Sequence, residues 1–232
     1  MPVGRDVAVG STEATGMKDS LEKSEKAPRR IFRRYFPLIL ILWILFVLYP
    51  NPANLVVSIQ RVLDFDADPD AVECIVNDFT SDPADIEKAV LSRIPYRHDW
   101  ELYGMPWYCP SIEQVLERSA GDCKARALVL ASILDAKDID YLVHSSPTHI
   151  WVQYESKQEN SIENSQVEFY EYDHDTGDRR FRIPDIGLDT LTATWERQFW
   201  TPMPDGRKIL LISGLVGLIA ARVILRKRET AQ

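Results

Sequence analysis

The chain has 232 residues, 45% of them apolar, which is enough for one ordinary buried core rather than several. Its formal charge of −8 is unevenly spread: residues 51–206 carry 29 Asp/Glu against 13 Lys/Arg, whereas the flanking segments carry 6 against 14. An acidic middle without a Lys/Arg stripe excludes nucleic acid as a partner, because phosphate binding rests on clustered cations that displace counterions.

Residues 1–30 contain Gly, Ser, Thr, Glu and Lys and hardly a bulky apolar group, so they read as a disordered basic tail. The run Tyr35 to Tyr49 carries no charge. At 1.5 Å per residue it covers about 22 Å, so Ile31, Phe32 and snorkelling by Arg33 and Arg34 are needed to complete a span of roughly 30 Å. Residues 31–50 therefore read as a first transmembrane helix. A cleaved signal peptide is the alternative, although Pro50-Asn51-Pro52-Ala53 offers no small-x-small cleavage site.

Residues 55–205 form the expected globular domain. Asp-Pro-Asp at 68–70 and Asp-Pro-Ala-Asp at 82–85 have the form of helix starts, a capping carboxylate followed by proline. Ile86, Val90, Leu91 and Ile94 then mark one helical face, ended by Pro95. The aromatic stretch Tyr96–Tyr108 has neither a helical nor an alternating period and reads as a loop packed on the core. Ser111 with Gln114 three residues on is a capping-box pattern that opens a helix to about Ser119. From Cys123 to Ala136 the residues are apolar around most of a helix circumference, so that helix must be buried.

Beyond Asp138 the period changes to two, giving strands at Ile139–His144, His149–Tyr154 and Val167–Asp173, with Glu155–Gln166 as a long hairpin connection between the last two. A second apolar run, Ile209 to Leu225, is interrupted only by Arg222 and reads as a second transmembrane helix over 209–225. Ser213, Gly217 and Ala221 recur every four residues on it, a small-residue face suited to packing against the first span. The basic residues before the first span, and Arg226, Lys227 and Arg228 in the tail 226–232, place both termini in the cytoplasm. The domain between the spans then faces outward across a cell membrane.

Three residues carry the chemistry expected of this layout. A cysteine acts as nucleophile only as thiolate, and a helix N-terminus favours that anion, which is the position of Cys123 behind Gly121 and Asp122. His149, at the head of a strand that follows the helix, is the candidate proton acceptor. If the second and third strands pair as a hairpin, equal distances from a midpoint near Ser161 bring Asp173 opposite His149 as the group that fixes the imidazole; Asp175 serves instead if the register slips. Cys74 and Cys109 either bond to each other or remain free thiols. The remaining histidines, His98, His144 and His174, are scattered and no zinc-ligand spacing occurs, so no metal and no cofactor is expected.

Taken together, Gly121-Asp122-Cys123, a buried Ala/Leu helix, a strand, His149-Ile150-Trp151-Val152 and then Tyr172-Asp173 resemble the transglutaminase-like superfamily over roughly Ile86 to Asp175. The resemblance implies an α+β, papain-like core, a buried helix headed by the catalytic cysteine and packed on an antiparallel sheet, here flanked by two transmembrane helices. It also implies a Cys123–His149–Asp173 triad that attacks protein or peptide amides through a thioester, with water or a lysine amine as acceptor. The Cys123 backbone N–H is one oxyanion donor, and Trp100 or Trp107 is a candidate for the second. The alternative is a noncatalytic, membrane-tethered binding or assembly module on the same fold, in which Cys123 and His149 would stand apart.

Overall fold

The computed structural model describes residues 32–63, 65, 67–158, 160–163, 165–185 and 187–230. The tail expected over 1–30 lies outside them, as do the final two residues of 226–232. The chain divides into two units, Met1–Val47 with Gly206–Gln232, and Leu48–Asp205.

Helix α1 runs over Phe32–Leu48. Pro50 and Pro52 interrupt the chain, and the Asn51 side chain accepts the Ala53 N–H at 3.1 Å at the start of α2, Ala53–Leu63, a helix the sequence reading leaves unassigned. Asp68 accepts the amides of Asp70 and Ala71 at the head of a one-turn 3-10 helix, Asp70–Val72, which leads into α3, Glu73–Val76. Asp82 caps α4, Pro83–Arg93, by accepting from Ala84 and Asp85, with proline in the first turn as expected. Ile86, Val90 and Ile94 of this segment are buried, but Leu91, one step of about 100° beyond Val90, is 45% exposed.

The aromatic loop contains a short helix, α5, Asp99–Tyr103, closed by Gly104 in the left-handed region. Helix α6, Ile112–Arg118, carries both arms of the Ser111/Gln114 capping box. Helix α7, Cys123–Asp135, buries Ala125, Ala127 through Leu134 and even Lys124. It forms the middle of the core, against Ile86, Val90 and Ile94 from the α4 segment, Ile112 and Val115 of α6, and the sheet residues Val143, Ile150, Val152 and Tyr154.

The four strands are β1, Tyr141–Ser145, β2, Ile150–Tyr154, β3, Tyr170–Asp173, and β4, Arg179–Phe181, all antiparallel in the order β2-β1-β3-β4. This order corrects the register read from sequence. β3 pairs with β1, not with β2, and Asp173 faces Leu142. The connection after β2 is long enough to cross β1, and β1 gains a partner on each edge.

After β4 come α8, Leu188–Trp195, a turn of π-helix, Glu196–Trp200, and α9, Asp205–Thr230. Among the described residues one helix, Asp205–Lys227 within α9, is long and apolar enough to cross a membrane. In its own unit α9 contacts α1: a Cβ on Gly214 would meet the Trp43 ring at 2.1 Å, the Arg222 guanidinium lies 4.4 Å from the centre of the Phe36 ring, and Arg207 donates to the Val47 carbonyl. The close approach is thus at Gly214, while a Cβ at Gly217 would meet nothing within 4 Å.

Gly121 precedes α7 for a packing reason. Its missing Cβ would fall 2.3 Å from Ala125 Cβ, and its backbone is bridged to Tyr96, with Arg97 N donating to Gly121 O at 3.1 Å. Gly121→Ala should therefore lower stability by about 1–3 kcal/mol, the usual range for overpacking, in chemical denaturation of the detergent-solubilised chain. A midpoint equal to wild type would contradict this account of the turn.

Candidate active site

Cys123 is the first residue of α7, and its neighbours fix it there. Asp122 accepts the amides of Lys124 and Ala125 at 3.0 and 3.3 Å through Oδ1 and holds Lys124 Nζ through Oδ2. Lys124 Nζ also reaches Asp99 Oδ2 at 2.9 Å, and that oxygen accepts the Tyr108 N–H at 2.7 Å. All three charged side chains are buried. One cation faces two carboxylates, so desolvation, with the Asp122 charge adding to it, pushes Asp99 up to about 6 despite Lys124. Desolvation opposes the charge on Lys124, but the two carboxylates outweigh it and hold its pKa well above the usual lysine value.

His149 is placed by the β1–β2 turn. Ser146 Oγ accepts the amides of Thr148 and His149 at 3.2 and 2.9 Å, and Ser146 N donates to His149 O at 2.7 Å. The imidazole stands between two groups: its Nε2 lies 2.9 Å from Glu163 Oε1, and Cys123 is close enough to act on its charge and lines the same cavity. Nε2 is taken by the carboxylate. The ring also stacks on Trp151, with centroids 5.9 Å apart and planes within 10°.

Glu163 is the carboxylate that reading the sequence misses. It sits in the connection after β2, where Asn160 Oδ1 accepts its amide at 3.0 Å and Asn160 Nδ2 donates to its Oε2 at 2.9 Å. Lys157 adds an ion pair at 3.3 Å, while also pairing with Glu87 at 2.7 Å. The available signal is local: Asn160 can take the amides two and three residues on, forming an Asx turn at Ile162 that extends to the Glu163 amide and fixes that segment.

Asp173, expected as the third member, is elsewhere. It is half-buried at the end of β3, where it accepts the amides of Asp175 and Thr176 at 3.0 and 3.2 Å; the hydrogen bond from Thr176 is the chief reason its carboxyl is held below the usual value. It closes the β3–β4 turn, and Asp175 belongs to that same turn. The structure therefore brings Cys123 and His149 together and replaces Asp173 by Glu163, because β1 stands between β2 and β3.

The cysteine and the histidine open on a cavity of about 150 Å³ that Glu163, Trp151 and Tyr96 also line. Tyr96 is shared with a larger cavity of about 540 Å³ bordered by Trp100, Trp107, Trp195, Phe199 and the Asp122–Lys124–Asp99 cluster. Trp100 Nε1 donates to Phe199 O at 3.0 Å and is no free oxyanion donor, whereas Trp107 is 42% exposed beside the cavity. Cys74, Cys109 and Cys123 are all free thiols, and burial pushes Cys109 up to about 11. Comparison of the chain with protein-family models, curated proteins and solved structures finds no match.

Burial of the His149 ring disfavours its charge, yet the neighbouring Cys123 and Glu163 outweigh that and push it up to about 9. Burial likewise works against the Glu163 anion, but the bond to His149 and the Lys157 ammonium lower it to about 2. In linkage terms, His149 stabilises the fold fully below its unfolded value of 6.5, and that contribution is lost as pH rises through about 9. Glu163 contributes above its unfolded value of 4.5 and loses that contribution as pH falls through about 2. Proton NMR of the His149 ring should accordingly titrate near 9 in wild type and clearly lower in Glu163→Gln. A wild-type midpoint at the ordinary histidine value would contradict the bridge.

Proposed function

We propose that the chain is a membrane-anchored thiol enzyme with a papain-like, transglutaminase-like core, acting on protein or peptide amides. The observation that carries this reading is the His149 imidazole held between the Cys123 thiol and the Glu163 carboxylate. That is the arrangement in which a thiol passes its proton to a neighbouring base while a third group stabilises the imidazolium.

In the reaction so read, Cys123 Sγ attacks the amide carbonyl carbon and the carbonyl oxygen takes up the negative charge. Because Asp122 takes the next two helical amides, the Cys123 N–H has no partner among the described residues and is free to donate to that oxygen. Tyr96 is the candidate second donor: it borders both cavities, and burial and the nearby Cys123 raise its pKa, so the phenol keeps its proton. The C–N bond then breaks as His149 gives its proton to the departing amine, leaving an acyl thioester on Cys123. Water or an amine attacks that thioester, His149 receives the attacker's proton, and an acid or a new amide leaves with the thiolate restored.

The anchoring part of the proposal adds α1 to α9 as a second span with both termini cytoplasmic and the domain outward. It rests on α9 being long and apolar enough to cross, on the α1–α9 contact, and on the cationic residues outside both runs.

Alkylation by a neutral haloacetamide at pH 7 tests the thiol. Peptide mapping should find Cys123 modified fastest of the three cysteines, with the rate falling roughly 10²–10⁴-fold in His149→Ala, the range of general base catalysis. Glu163→Gln should slow it measurably and Asp173→Asn should leave it unchanged. Equal rates in wild type and His149→Ala, or an effect of Asp173→Asn as large as that of Glu163→Gln, would overturn the assignment.

A further inference from the structure

A second buried cluster lies across the sheet from the cysteine. The pairing aligns Arg180 of β4, Glu171 of β3, His144 of β1 and Trp151 of β2 in one cross-strand row. Glu168, just before β3, joins this row: its carboxylate comes within 3.4 Å of His144 Nδ1, and Glu171 comes within 3.9 Å of the same nitrogen. His144, Glu168 and Glu171 are 8%, 2% and 8% exposed. Such burial of two carboxylates around an imidazole is costly unless a cation joins them.

The polar atoms there are conspicuously unmet. His144 Nδ1 and Glu168 Oε1 are both buried without a hydrogen-bond partner among the described residues. At 3.4 Å the imidazole nitrogen and the Glu168 oxygen face each other but are not aligned as donor and acceptor. The nearby positive charges are loosely placed. Arg182 stands 3.4 and 3.9 Å from the oxygens that His144 also faces, and Arg180 holds the outer oxygen of Glu171 at 3.2 Å. Both arginines reach in from the surface, with side chains 46% and 60% exposed.

We propose that His144, Glu168 and Glu171 bind a divalent transition-metal ion, zinc being the natural probe. The donor set of one imidazole nitrogen and two carboxylates suits that class of ion. One ligand atom from each residue can be chosen so that all lie within 4.8 Å of one another. Bonds of about 2.0–2.2 Å to a tetrahedral centre put neighbouring ligand atoms roughly 3.3–3.6 Å apart, so the three side chains would draw together by up to about 1.5 Å on binding. The ion would take the oxygens that Arg182 now approaches, leaving Arg180 on Glu171, and would clasp β1 to β3. His144 stacks on Trp151 with centroids 5.3 Å apart, and Trp151 stacks in turn on His149, so the clasp would stiffen the surface on which the candidate catalytic imidazole rests.

The full-length chain in detergent, stripped with a chelator, loaded with zinc and gel-filtered into metal-free buffer, should retain about one ion per chain by elemental mass spectrometry. The ion should persist in Cys123→Ala, which removes the competing thiol site. Retention should fall roughly tenfold or more in Glu168→Gln and in His144→Phe, which keeps a ring on Trp151. Arg182→Ala, which removes the rival cation, should bind zinc more tightly than wild type. Circular dichroism establishes that each variant is folded. No zinc retained by wild type, undiminished retention in folded Glu168→Gln, or loss of the ion in Cys123→Ala would each overturn the proposal.

Discussion

The candidate site depends on how the first turn of α7 is closed. Asp122 divides its two oxygens between the free amides of that turn and the Lys124 ammonium, and Lys124 carries the connection on to Asp99 in α5. Asp99 in turn holds the Tyr108 amide, so one buried cation joins the helix head to both ends of the aromatic loop. Removing one member of such a buried network typically costs about 3–5 kcal/mol, because it leaves a charge without its partner. A lysine beside Cys123 thus organises the turn from which the thiol projects, and its own charge is already engaged.

The opposite half of the site depends on strand order. Because β1 lies between β2 and β3, β2 is an edge strand, and the segment leaving it is free to fold back over the His149 turn before crossing to β3. Its Asx turn at Asn160 delivers Glu163 to the imidazole, and Lys157 braces the same segment against Glu87 of α4. Had β2 paired with β3, the connection would have been an ordinary hairpin loop, remote from the histidine.

What could be read from the sequence was governed by local physics. The Asp82 cap, the Ser111/Gln114 box and the buried helix behind Cys123 each depend on residues a few positions apart, and they are found where the pattern placed them. The α+β class with an antiparallel sheet follows from the change of period after Asp138. Nonlocal features were out of reach. Leu91 lies outside the buried face that its spacing suggests, and Asp173 would face His149 only if β2 and β3 were neighbours, which they are not. Helix α2 has a clear amphipathic pattern, yet Val56, Ile59 and Leu63 of its apolar face are exposed while Ser58 is buried, so its placement is not the one local patterning implies. The His144–Glu168–Glu171 cluster was equally hidden, since its members are brought together only by the β1–β3 pairing. Scattered histidines along a chain say little about which carboxylates they will meet.

The account stands or falls on whether Cys123 forms a covalent bond with the carbonyl carbon of an amide. Intact-mass spectrometry after acid quench of the full-length chain, incubated with a library of glutamine- and lysine-bearing peptides, measures this directly. The account predicts a mass increase equal to a peptide's acyl portion without its departing amine, mapped to Cys123, released by hydroxylamine and missing in Cys123→Ala. A thiol that stays unmodified across the library, or an adduct that survives the Cys123→Ala substitution, would contradict it.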